Sequence, residues 1–232
     1  MAGEKEYCYF CGKESISKEH VPPKCLFPEM KDSLPGKDYR RNLITVPSCA
    51  LHNLEKSKED EYLLAVLSLN ILNNRTGTNQ AITKTLRTFI HSEKFKERFF
   101  NLTHPIFVKD IKTGRFERSI SIELDCNRLD AILEHIARGI YFHHFKECLK
   151  ASLKVIDEFS MKMDPADPIG TVKHNNEFEN MRNMLNAFFY EADRFGENQE
   201  VFFYQIASDV NTIIIRLSFY EGARVSCLIK LN

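Results

Sequence analysis

Two short cysteine and histidine turns constrain this chain more than any other feature. Cys8 and Cys11 form a C-x2-C pair, and Cys49 and His52 form a C-x2-H pair that begins thirty-eight residues after Cys11. A C-x2-C turn puts two thiolates on one side of a tight loop, at the separation a tetrahedral Zn²⁺ accepts. Two such turns close the coordination sphere, so Cys8, Cys11, Cys49 and His52 read as a structural zinc site with no open position. Gly12 follows the second cysteine and suits the sharp turn of a knuckle. A short segment with few large apolar residues needs a staple of this kind to fold. Cys25 lies between the half-sites as a core thiol or as a fourth ligand in place of His52; chance spacing of the cysteines is the competing reading.

Composition frames what such a staple can serve. The 232 residues are 43% hydrophobic and 28% charged, the balance of a globular protein with a sizeable core. Thirty-two basic side chains meet thirty-two acidic ones, so bulk charge does not point to nucleic acid, and any such substrate must be argued from a site. No charged-then-apolar leader and no apolar run of bilayer length is read, so no membrane association and a cytoplasmic location are expected. Seven cysteines, an odd number, do not form a secreted disulfide framework.

The chain divides near residue 58. Residues 1–57 hold five of the eight prolines and little helical periodicity. Beyond them, helices are expected over Glu61–Leu72, with Asn74–Thr78 as its stop, over Gln80–His91, and in a charged segment through Arg98. A hairpin joins Ile106–Val108 to Ser119–Leu124. A long helix capped by Asn127 carries the apolar stripe Leu129, Ile132, Leu133, Ile136, Ile140 and Tyr141. Residues 164–170 read as a loop and Glu177–Asp193 as a helix. Three strands then follow, Val201–Ile206, Thr212–Phe219 and Arg224–Leu231, with a turn at Tyr220–Ala223.

Between the half-sites stand Lys18-Glu19-His20-Val21-Pro22 and Arg41-Asn42-Leu43-Ile44-Thr45-Val46, and after them Asn53-Leu54-Glu55-Lys56-Ser57. This order of knuckle, acid-His-Val-Pro, Asn-Leu-Ile, knuckle and Asn-x-x-Lys resembles the HNH endonucleases of the zinc-knuckle, ββα-metal kind, over about residues 8–60. The family letters fall on His20, Asn42 and Asn53; the last is His in many members. The acid is Glu19 where Asp is common, one methylene longer.

The resemblance implies a fold and a chemistry. The fold is α+β: an HNH ββα-metal module with structural zinc at 1–58, then a mixed helix and antiparallel-sheet accessory domain at 59–232. The reaction is metal-dependent hydrolysis of nucleic-acid phosphodiesters, DNA foremost. His20 is the general base, since neutral imidazole best takes a proton near pH 7. Glu19 and Asn53 hold Mg²⁺ or Mn²⁺, hard cations that prefer oxygen. Asn42 holds the loop that orients His20, and Lys56, on Asn53's helix face, contacts phosphate. Adjacent strand residues face opposite ways, so a twist or bulge is expected where Glu19 and His20 serve one site.

Two rivals come from other classes: a non-catalytic zinc-knuckle module that binds nucleic acid, and an interaction protein that works through 59–232. The accessory part is expected to recognise target, regulate or form a homodimer or partner contact, in the setting of phage defence or a mobile element. His143-His144 read as helix C-terminal cations rather than as a metal pair.

Overall fold

The computed structural model describes residues 5–33, 35–54, 57–109, 113–164 and 166–231. It is a mixed α+β fold. The N-terminal part begins with a bridge between Tyr7 and Glu14 that carries the Cys8–Cys11 turn at its tip. Strand β1 (Ser17–His20) pairs antiparallel with β2 (Thr45–Ser48), in the register Glu19 to Val46 and His20 to Thr45. Helix α1 (Ala50–Leu54) follows β2 directly. The expected boundary near residue 58 falls in the first turn of α2 (Ser57–Ser68).

Helix α2 starts and stops four residues earlier than its apolar run suggests. Its first turn carries Glu59 and Asp60, which the helix dipole favours, and Tyr62 through Leu67 are buried. Asn74 does not end a helix. Its side chain accepts a hydrogen bond from the Gly77 amide at 3.0 Å and caps α3 (Arg75–Gln80). A π-helical turn, Ala81–Thr85, carries the chain on into α4 (Leu86–His91). Helix α5 (Glu93–Phe100) and the hairpin of β3 (Thr103–Lys109) with β4 (Phe116–Ile122) come next.

Helix α6 (Cys126–Phe145) is the central element. Asp125 caps it rather than the expected Asn127, accepting from Arg128 N at 3.1 Å, and Lys146 ends it in the left-handed region. Its stripe Leu129, Ile132, Leu133, Ile136 and Ile140 is buried as its spacing predicts. Strand β5 (Leu153–Asp157) was not legible as a strand. It pairs at the edge of a sheet whose order is β5-β8-β7-β6, with β6 (Phe202–Ser208), β7 (Thr212–Phe219) and β8 (Ala223–Lys230). Helix α7 (Pro168–Phe188) begins nine residues earlier than its composition suggests, because Asp167 caps it with Pro168 in its first turn.

One buried core joins the two parts, running from Cys8 and Tyr9 through α2 and α6 to Ile229. Among the contacts that hold the N-terminal part on the rest, two are especially close. Gly139 of α6 lies so close to Val21 that a Cβ there would meet both Val21 methyls at 2.8 Å. Tyr220, in the turn between β7 and β8, is fully buried at a positive φ of 48° and donates its hydroxyl to the Leu26 carbonyl. That backbone conformation is costly for an aromatic residue and is held by burial and this hydrogen bond.

Candidate metal centre and adjoining cleft

The knuckle is built by backbone bonds before any ligand is considered. Gly12, at φ 70°, returns its amide to the Cys8 carbonyl at 2.9 Å, and Cys8 N bonds Lys13 O at 2.7 Å. Tyr9 N then bonds Pro47 O at 2.9 Å, which lays the turn against β2. Strand β2 delivers Cys49, and the first turn of α1 delivers His52. Cys11 Sγ lies 3.8 Å from Cys49 Sγ. His52 Nδ1 lies 3.2 Å from Cys49 Sγ and 3.6 Å from Cys8 Sγ. All four donor atoms fall within 4.8 Å of one another. Tetrahedral bonds of about 2.3 Å to sulfur and about 2.0 Å to nitrogen separate ligand atoms by roughly 3.5–3.8 Å. The separations of 3.6 and 3.8 Å fall in this range and the others lie near it, so the four residues form a group that could hold a metal ion such as zinc.

The electrostatics agree with that use. The His52 backbone N–H, with its imidazole alongside, lowers the Cys49 thiol to about 6, toward the thiolate a metal needs. Cys25 is excluded from the group: its thiol donates to the Asp60 carbonyl, and burial pushes its pKa well up.

Helix α6 covers the knuckle. The Phe10 ring, inside the C-x2-C turn, lies 4.5 Å from the His52 ring and stacks on His135 at 4.3 Å and 18°. The Arg138 guanidinium sits 5.1 Å from the centre of the same ring. Cys148, just past the helix, donates its thiol to the Cys8 carbonyl.

Beside the cluster a cleft of about 550 Å³ opens between the ββα segment and α6. Glu19, His20, Glu59 and Asp60 line one side, and Arg128 and His135 the other. Glu19 is buried and accepts from the Tyr9 hydroxyl at 3.4 Å. His20 is half-buried, and among the described residues no hydrogen bond engages its ring. Burial lowers its pKa, the Lys24 and Arg40 cations lower it further, and Glu19 offsets them in part. The expected bulge is absent: the ladder stays regular to His20, where the strand ends. Both side chains reach the cleft because His20 is the last strand residue.

The other expected site residues divide. Asn53 donates through Nδ2 to Ser17 Oγ at 2.7 Å, which leaves its Oδ1 as an acceptor. Ser17 shares a face of β1 with Glu19, two residues on. Asn42, at φ 50°, sends its amide to Glu197 at 2.6 Å, so this contact ties its loop to the segment before β6 and not to His20. The link from that loop to His20 is instead the backbone bond from Val21 N to Ile44 O at 3.0 Å. Lys56 lies outside the described residues. His144 belongs to an aromatic cluster with Phe195 and Tyr204 rather than to a metal pair.

Sequence reasoning did not single out Glu59, Asp60, Arg128 or His135. A signal existed: Arg128, Ala131, Ile132 and His135 follow the 3–4 spacing of one helix face, with a cation and an imidazole on an otherwise apolar stripe. Arg128 ion-pairs with Glu59 at 2.6 Å and lies 4.2 Å over the Tyr62 ring, so it also fixes α2 to α6.

No helix among the described residues is long and apolar enough to cross a membrane. Compared with models of protein families, with curated proteins and with solved structures, the chain matches none.

Proposed function

We propose that the chain is a metal-dependent endonuclease of the HNH kind, hydrolysing phosphodiester bonds of nucleic acid, most of all DNA. One observation carries this reading: an imidazole with no hydrogen bond among the described residues and held toward its neutral form stands next to a buried carboxylate in a cleft beside a Cys3His cluster. That combination supplies a base and an oxygen ligand on a stapled scaffold.

The charge of the cleft bears on the cation. Glu19, Glu59 and Asp60 face Arg128, which Glu59 already neutralises. A divalent cation there would offset these carboxylates for an incoming phosphate, beside the Lys24 and Arg40 cations that act on His20. Glu19 lines the cleft and would offer such a hard ion an oxygen. Asn53, whose Oδ1 takes no part in the bond to Ser17 but which does not line the cleft, is the second proposed ligand. The ion would stabilise charge on the phosphate and the leaving 3′ oxygen. The chain's own residues do the remaining work. His20 accepts the proton of the attacking water at its ring nitrogen. The zinc group at Cys8, Cys11, Cys49 and His52 keeps the turn and α1 in register. Lys56 is offered as a phosphate contact, Asn42 as a loop anchor, and the 59–232 region as the cleft's second wall and a partner surface.

The test is plasmid cleavage by zinc-loaded protein with Mg²⁺ or Mn²⁺, with EDTA, and with Glu19→Gln. Cutting that needs added cation and falls at least about a hundredfold in Glu19→Gln is the expected result, given that a metal ligand carries several kcal/mol of catalysis. Nucleic-acid binding without cutting in any metal would replace this reading with that of a zinc-knuckle binding module.

A further inference from the structure

We propose that the face of the β5-β8-β7-β6 sheet turned away from α6 carries a phosphate-binding site, formed by Arg224, Arg194 and the hydroxyl of Ser218. Side chains alternate along each strand, so the register assigns the two faces. Cys227, Ile229, Ile215, Leu217, Phe219, Phe202 and Tyr204 lie in the shared core, on the face toward α6. The opposite face carries polar side chains near the β7–β8 turn. Phe203 of β6, Ser218 of β7 and Arg224 of β8 stand in one cross-strand row, and Gln205, Arg216 and Ser226 in the next.

The second row is a finished structural network. Arg216 and Glu158 are both buried and paired through Nε and Nη2 of the guanidinium, and Ser226 donates to Glu158 at 2.6 Å. The first row is unfinished. Ser218 is 1% exposed, and its hydroxyl meets no hydrogen-bond partner among the described residues. A buried hydroxyl left in that state costs free energy that a ligand oxygen would return. Its neighbours include cations that make no ion pair among the described residues. Arg224 donates to Asn186 Oδ1 at 2.8 Å, and Arg216 donates to the same oxygen at 2.7 Å. Two guanidinium groups thus converge on a neutral amide, while the nearby carboxylate of Glu158 is already taken by Arg216. Arg194 lies 4.8 Å over the ring of Phe203, at the other end of the row. Among the described residues neither Arg194 nor Arg224 makes an ion pair.

Two planar guanidinium groups and one hydroxyl along one row of this face are the kinds of donor an oxyanion takes. Burial lowers the pKa of Arg224, and the Arg216, Arg194 and Arg182 cations lower it further, against the opposing pull of Glu158. An anion seated there would relieve that repulsion. The shared chemistry is a phosphate group, from a nucleic-acid backbone or from a small nucleotide. The site lies across the sheet from α6 and does not rest on the nuclease reading.

The test uses the zinc-loaded full chain and inorganic phosphate as probe, against chloride at matched ionic strength, by calorimetric titration and thermal midpoint. Wild type is expected to bind phosphate at one site and to be stabilised by it. Ser218→Ala is expected to weaken binding roughly tenfold, as loss of one hydrogen bond to a charged group implies, without loss of stability. Arg194→Gln is expected to weaken it to a similar extent, and Arg224→Gln more. His20→Ala should bind as wild type does. A 5′-mononucleotide that competes better than a single-stranded oligonucleotide assigns the site to a small effector, and the reverse order assigns it to the backbone. Absence of phosphate binding by wild type, or equal binding by wild type, Ser218→Ala and Arg194→Gln, overturns the proposal.

Discussion

Replacing Gly139 with alanine tests the joint between α6 and the residue that follows His20. A Cβ at this position would lie 2.8 Å from both methyls of Val21 and 3.3 Å from its Cβ. Real Cβ contacts do not come so close, and the Val21 methyls sit on a branched carbon whose rotamers are few. Two effects therefore compete. Alanine in a helix interior is worth about 1 kcal/mol over glycine, whereas overpacking a tight interior costs about 1–3 kcal/mol. The balance is a loss of about 1 kcal/mol. In a Val21→Ala background both methyls are gone and only the 3.3 Å contact remains. The helix term should then dominate, and Gly139→Ala should become stabilising by up to about 1 kcal/mol. The coupling in the double-mutant cycle is thus about 2 kcal/mol. Equilibrium urea unfolding of the zinc-loaded protein, with unchanged m, measures it. If Gly139→Ala has the same effect in both backgrounds, α6 does not rest on Val21, and the cleft wall is described wrongly.

Three further outcomes are expected. Cys49→Ser should lose the bound metal and a large part of the N-terminal fold, whereas Cys25→Ser should keep one equivalent of zinc by metal analysis, since its thiol bonds Asp60 O instead. His20 should titrate below the ordinary imidazole value of 6.5 in an NMR pH series. The unfolded chain takes up that proton more readily than the folded one. Stability from this group is therefore complete above about 6.5 and is lost as pH falls from there through the lower folded value, a slope that His20→Ala should remove. Glu158→Gln should cost about 3–5 kcal/mol in urea unfolding, because it leaves Arg216 charged and buried.

The sequence carried the local chemistry better than the packing. The four candidate metal ligands were legible because C-x2-C and C-x2-H fix geometry within a single turn, and the structure gathers all four. The stripe of α6 was legible because its 3.6 period runs unbroken, and the three last strands because they are β-branched and aromatic runs separated by short polar turns. Strand β5 was not, since Leu153–Asp157 mixes charged and apolar residues in a short edge strand whose partner lies some seventy residues on. Asn74 and Asp167 looked like breakers because capping residues and loop residues are the same types, and only the amide they accept tells them apart. The second wall of the cleft was illegible for a related reason. Arg128 and His135 meet Glu19 and His20 only through the tertiary packing of α6 on Val21 and Phe10.

The central claim rests on His20. Its most direct test is plasmid cleavage by wild type and His20→Ala, both checked for one equivalent of zinc and for unchanged unfolding at pH 8, in Mg²⁺ or Mn²⁺. The account predicts cation-dependent cutting by wild type and a loss of about a hundredfold or more in His20→Ala, the contribution of a positioned general base. Equal cutting by the two proteins would contradict the assignment of the base and, with it, the proposed reaction at this cleft.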